Sequence, residues 1–133
     1  MKGFASAMAL LSLVCVGPLL AAEGAGGIDD QTKSRVRSEI ERYVAADIKL
    51  KGYFLLIDPR NDKTLRLIFD RVHDGVSADP KGYGACVDFK DKSGKVYDVD
   101  FFVFLGEEAA GVEQIVLHKV DGKPLPKPTE AGK

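Results

Sequence analysis

The chain has 133 residues, 45% of them hydrophobic, with 19 basic and 20 acidic side chains and a formal charge of −1. That length suits one domain around one core. The charge balance gives no basis for a nucleic-acid partner, which asks for a basic surface, and no run of basic residues marks a membrane surface.

Residues 1–22, MKGFASAMALLSLVCVGPLLAA, read as a signal peptide. Lys2 supplies the positive start, residues 4–16 the apolar stretch, Gly17-Pro18 the helix break, and Leu20-Ala21-Ala22 the small-residue cleavage site. The apolar stretch falls short of the roughly 20 residues that span a bilayer. Cleavage near Ala22 implies a periplasmic or secreted protein with no membrane span after processing. Acylation at Cys15 is disfavoured, because Ser12 and Val14 stand where a lipoprotein signal wants Leu and a small residue. Removing 22 of 133 residues leaves 111, and Lys2 is the one charge lost, so the mature charge is −2. Cys86 is then the single cysteine, and no intrachain disulfide can form.

Residues 23–28 form a flexible lead-in to a single domain over 29–121. Asp29 or Asp30 can cap a helix. Val36, Ile40, Tyr43, Val44 and Ile48 follow at helical spacing, opposite a charged face of Lys33, Arg35, Arg37, Glu39, Glu41 and Arg42. Gly52 stops the helix. Residues 53–57 form a short apolar strand, and Asp58–Asp62 a turn. Residues 64–73 form a second strand that ends at His73. Residues 74–84, DGVSADPKGYG, carry three glycines and a proline and read as a long loop. A hairpin over 85–91 and 95–105 follows, then a turn at 106–111 and a last strand from Val112 to Val120. The Pro- and Lys-rich tail, 122–133, reads as unfolded.

The fold class is α+β. One N-terminal amphipathic helix packs on one face of a four- to five-stranded antiparallel meander sheet. This element order loosely resembles the cystatin-like and NTF2-like folds. The inhibitory Gln-x-Val-x-Gly hairpin of cystatins is not matched by Gln114–His118, so that role is not carried over. The phrases VHDGV, ACVDFKDKSGKVYDVDFFV and VLHKVDGKP resemble a group of small exported bacterial proteins of uncharacterised function. That resemblance covers most of residues 53–123 and implies no chemistry.

The hairpin turn fixes a register. In Asp91-Lys92-Ser93-Gly94-Lys95 a three-residue loop places Gly94 in the left-handed conformation and sets Asp91 opposite Lys95. Phe89 then faces Tyr97, Val87 faces Val99, and Ala85 faces Phe101, all on one apolar face. A one-residue slip would exchange the faces. Tyr97, Val99, Phe101, Val103 and Leu105 pack under the helix. On the other face Asp88 meets Asp98, a repulsive pair that needs an offset from a neighbouring Lys or Arg, a cation, or water. Cys86 meets Asp100. Extending the pattern to the last strand pairs Val103 with Ile115, Phe101 with Leu117, and Asp100 with His118.

That second face invites three functional readings. A non-catalytic binding or interaction domain is favoured. It would use the uncovered, half-apolar sheet face and the 74–84 loop to meet an unknown protein or a small-molecule ligand. Phe102, Phe104 and Val116 would give apolar contact. Asp88, Asp98, Asp100 and His118 would give polar selection, with Lys81 and Tyr83 from the loop. The alternatives are a thiol- or metal-dependent enzyme or sensor centred on Cys86 with Asp100 and His118, and a homodimerising structural protein. Catalysis is disfavoured, because the acid would stand between thiol and imidazole, the wrong order for a relay. No catalytic residue and no cofactor is assigned, and the three metal candidates have no close sequence spacing of the zinc type.

Overall fold

The computed structural model describes residues 27–126. The signal peptide read over 1–22, residues 23–26 of the lead-in and residues 127–133 of the tail lie outside the described residues.

Helix α1 spans Asp30–Lys51. Asp29 caps it by accepting from Thr32 N at 2.8 Å, and Gly52 closes it at φ 82° by donating to the Ile48 carbonyl. Val36, Glu39, Ile40 and Val44 are its buried residues. Glu39 tolerates burial because Arg42 Nε binds its carboxylate at 2.9 Å. No described helix is long and apolar enough to cross a membrane.

The strands are β1 (Phe54–Asp58), β2 (Lys63–Asp79), β3 (Gly82–Lys90), β4 (Val96–Leu105), β5 (Ala110–Val120) and β6 (Lys123–Pro124). They form one antiparallel sheet in chain order, with six strands rather than the four to five expected. The extra strand comes from the start of the tail. Asp121-Gly122 turns the chain with both residues at positive φ, and Lys123 and Pro124 pair with Val120 and Lys119. Leu125 packs against the core, so residues 122–126 are held to the sheet.

The hairpin register matches the sequence reading at each of those positions. Phe89 pairs with Tyr97, Val87 with Val99, Ala85 with Phe101, Asp88 with Asp98, and Cys86 with Asp100. Gly94 has φ 85°, and the loop is closed by Asp91 N to the Lys95 carbonyl at 3.1 Å. Ala85, Val87, Phe89, Tyr97, Val99, Phe101 and Val103 are all buried. They share one core cluster with Val36, Ile40 and Val44 of α1. Aromatic rings bind this core together. Phe54 stacks on Phe89 at 4.7 Å between centroids, and Tyr43 of α1 meets Phe101 edge-on at 6.4 Å. Burial of each such side chain contributes about 1.5–3 kcal/mol, which outweighs the tenths of a kcal/mol that facing acids cost on the other side.

Two further expectations fail. Residues 74–84 are not a loop. β2 runs on to Asp79, Pro80-Lys81 makes a tight turn, and β3 starts at Gly82. Pro at the first turn position, with the Asp79 carboxylate accepting from Lys81 N at 3.0 Å, forms that turn. Asp74-Gly75 imitates a turn signal, but forms an irregularity within β2. Two residues of β2 are extra between Val72, opposite Val87, and Val76, opposite Ala85. Asp74 is drawn to Arg37 of α1 at 2.9 Å. His73 therefore lies within β2 and is not a strand terminus.

The β4–β5 register also differs. The connecting loop closes early, with Gly106 N donating to the Ala109 carbonyl and Leu105 opposite Ala110. Single-residue bulges at Glu113 and His118 then each shift the ladder by one. Phe101 consequently faces Ile115, Val99 faces Leu117, and Asp100 faces Val116 instead of His118.

Candidate functional site

The outward face of β2–β5 carries the chemistry. At its centre Asp88 and Asp98 stand opposite each other. Asp88 is only 9% exposed. Its carboxylate accepts from Arg71 Nε at 3.0 Å and lies 2.8 Å from His73 Nε2. Burial pushes this carboxyl up, but the bonds from Arg71 and His73 together outweigh it and hold it below the ordinary carboxylate range. Asp98 shifts the other way. Burial, then the Asp88 charge across the ladder, raise it, and Lys119 opposite on β5 only partly offsets them. The two acids are thus unequal. One is held by Arg71 and His73, and its partner holds a proton more readily.

One step along the strands lies a row of three donors. Cys86 on β3 faces Asp100 on β4, and Asp100 Oδ2 lies 3.2 Å from His118 Nδ1 on β5. The sulfur, a carboxylate oxygen and a ring nitrogen all lie within 4.8 Å of one another. The ladder alone would not join Asp100 to His118. The bulge at His118 re-aims its side chain, which restores the contact that a simpler register predicts. Burial, with the Asp100, Asp98 and Asp88 carboxylates behind it, pushes the Cys86 thiol up to about 12. At neutral pH it is a protonated and weak nucleophile.

A cavity of about 350 Å³ opens beside this row, lined by Gly75, Val76, Ser77, Gly84, Ala85, Cys86, Asp100 and Phe102. Gly75, within the β2 irregularity, and Gly84 both line it, and a side chain at Gly75 would meet open space. Gly84 is held close to β2, with Ser77 Oγ donating to its carbonyl at 3.4 Å. Phe102 also borders a second concavity, of about 450 Å³, with Lys81, Glu113 and Gln114. Phe102 therefore stands between two hollows on the same face.

The nine surface residues read from sequence fall into groups. Asp88, Asp98, Asp100 and His118 form the polar field. Phe102 lines both hollows, Val116 pairs with Asp100, and Lys81 sits on the β2–β3 turn. Phe104 is 44% exposed and faces Gly111, away from Cys86. Tyr83 does not belong to this surface, because it packs against the core. It was assigned to a loop, whereas its odd position on β3 turns it inward beside Val103.

Arg71 and His73 were missed. A signal for His73 exists. Running the pairing back from Asp79 opposite Gly82 without an irregularity sets His73 opposite Asp88, whereas the two extra residues of β2 put Arg71 there and leave His73 to reach Asp88 through its side chain. Placing the turn at Pro80-Lys81 would have exposed it, while reading 74–84 as a loop cut the strand short. Comparison of the chain with protein-family models, curated proteins and solved structures finds no match.

Proposed function

We propose that the protein is a binding domain, without catalytic activity, that works through the outward face of its sheet. The observation that carries this reading is the hollow beside Cys86, Asp100 and Phe102. It joins an apolar wall to a few convergent polar groups, the usual make-up of a ligand site. The 74–84 loop drops out of the proposal. The β2 irregularity at Asp74-Gly75 and the Lys81 turn take its place. The high-lying thiol and the acid standing between Cys86 and His118 both argue against nucleophilic catalysis. The small-residue cleavage pattern near Ala22 supports export to the periplasm or beyond.

Amide NMR during a small-fragment screen tests the reading. Fragments that bind should shift Gly84, Cys86, Asp100 and Phe102 together. Phe102→Asp should abolish those shifts while keeping a dispersed, folded spectrum. Fragments that perturb only the α1 surface, or binding unchanged in Phe102→Asp, would refute it.

A further inference from the structure

We propose that Cys86, Asp100 and His118 form a binding site for a divalent cation of the zinc class. This goes beyond the binding role, and it stands whether or not a partner uses the face. The three side chains come from three adjacent strands, β3, β4 and β5, so the sheet itself presets their spacing. Their ligand atoms lie within 4.8 Å of one another. Tetrahedral zinc holds sulfur at about 2.3 Å and nitrogen or oxygen at about 2.0 Å, which puts its donors roughly 3.3–3.8 Å apart. Asp100 and His118, at 3.2 Å, are already that close. The other donor separations, within 4.8 Å, would have to shorten by roughly 1 Å on binding.

The donor set selects the ion. A thiolate and an imidazole suit borderline-soft metals. Calcium and magnesium would find one carboxylate here and need several oxygens. Asp88 stays outside the site, being held by Arg71 and His73.

Two backbone irregularities serve this arrangement. His118, at the β5 bulge, lies beside Asp100, and Gly75, in the β2 irregularity, lines the same cavity as Cys86. Cys86 and Asp100 both line that cavity, so the fourth position of a bound ion faces it. Water or a donor atom of a ligand would complete the coordination there. On binding, the Cys86 S–H bond breaks, its proton passes to solvent, and a sulfur–metal bond forms without electron transfer.

Cobalt(II) titration of the purified, reduced protein is the test. The expected result is uptake of one cobalt per chain, with a thiolate-to-metal charge-transfer band and the visible bands of a four-coordinate ion, both displaced by zinc. Cys86→Ser should remove the charge-transfer band. His118→Ala should weaken affinity at least about tenfold. Glu41→Ala, on the exposed side of α1, should leave both unchanged. Circular dichroism verifies that each variant is folded. A folded wild-type protein without the band, a band surviving in Cys86→Ser, or undiminished affinity in His118→Ala would each overturn the site.

Discussion

Asp98 lies directly across the β3–β4 ladder from Asp88, yet the two carboxylates differ in every other respect. Arg71 and His73 bind Asp88, while Asp98 has Lys119 opposite it and a raised affinity for protons. Like charges in facing positions destabilise a sheet, so removing one should help. Asp98→Asn is expected to stabilise the fold by about 0.2–1 kcal/mol. Urea denaturation at neutral pH measures this, and a lower midpoint would show that Asp98 accepts a bond its neighbours need.

The two faces should respond differently to truncation. Phe101 is fully buried against Tyr43, Phe54 and Phe89, whereas Phe104 is 44% exposed. Phe101→Ala should cost about 3–5 kcal/mol. Phe104→Ala should stay within about 0.5 kcal/mol of wild type. Equal losses in denaturation experiments would contradict the inward–outward alternation along β4.

Asp58 predicts the acid limb of stability. It is 2% exposed, and Arg60 grips both carboxylate oxygens, with Nη2 to Oδ2 at 2.6 Å. The side-chain bonds from Arg60 lower this carboxyl below its ordinary 3.8 despite burial. A depressed folded value contributes stability that is present above the unfolded range, near 3.8, and lost as pH falls through the folded value. Asp58→Asn should therefore cost about 1–3 kcal/mol at neutral pH. The difference from wild type should shrink once the pH drops below that range. Denaturation midpoints taken across pH 2–7 (roughly the span over which carboxylates titrate) provide the comparison.

Tyr97 predicts the alkaline limb. Its hydroxyl donates to Asp91 Oδ2 at 3.0 Å. Burial, then the bond to Asp91, raise this phenol from 10.0 to about 12. The raised folded value means that stability is intact below the unfolded value and is lost as pH rises through the folded one. An ultraviolet titration should show a phenolate step near 12 that is missing in Tyr97→Phe. Persistence of the step in that variant would reassign it.

Two glycines should differ in what an added methyl group costs. Gly94 has φ 85° and open space around it, so Gly94→Ala should lose about 1 kcal/mol from backbone strain alone. At Gly82 a Cβ would strike the Val103 carbonyl of β4. Gly82→Ala should be the more destabilising of the two. Thermal unfolding ranks them, and a reversed order would refute the close approach of β3 to β4.

The hairpin was legible in the sequence because its turn admits one geometry and its odd positions are uniformly apolar. The caps of α1 were legible for a similar reason, with Gly52 read outright and the N-cap narrowed to Asp29 or Asp30, of which Asp29 serves. The middle of β2 was not. Asp74-Gly75 carries a turn signal, yet it lies within β2, whose pairing with β3 on either side of it is distant from that signal in sequence. The β5 register was lost because the bulges at Glu113 and His118 leave no mark on composition. At the site, parity alone placed Cys86 opposite Asp100, and it left Arg71 and His73 out because β2 was ended too early. The Asp100–His118 contact was reached through the wrong ladder and survives through a bulge.

The last strand sets how other molecules can approach. β6 is two residues long, and Pro124 offers no N–H at that border of the sheet. β6 covers only Lys119 and Val120, so among the described residues the outer edge of β5 from Ala110 to Leu117 has no strand beside it and offers a visiting chain a place to extend the ladder. Two routes of recognition are therefore open on this side, backbone pairing along β5 and side-chain contact from above, and Pro124 limits the first at the end where the chain leaves the sheet.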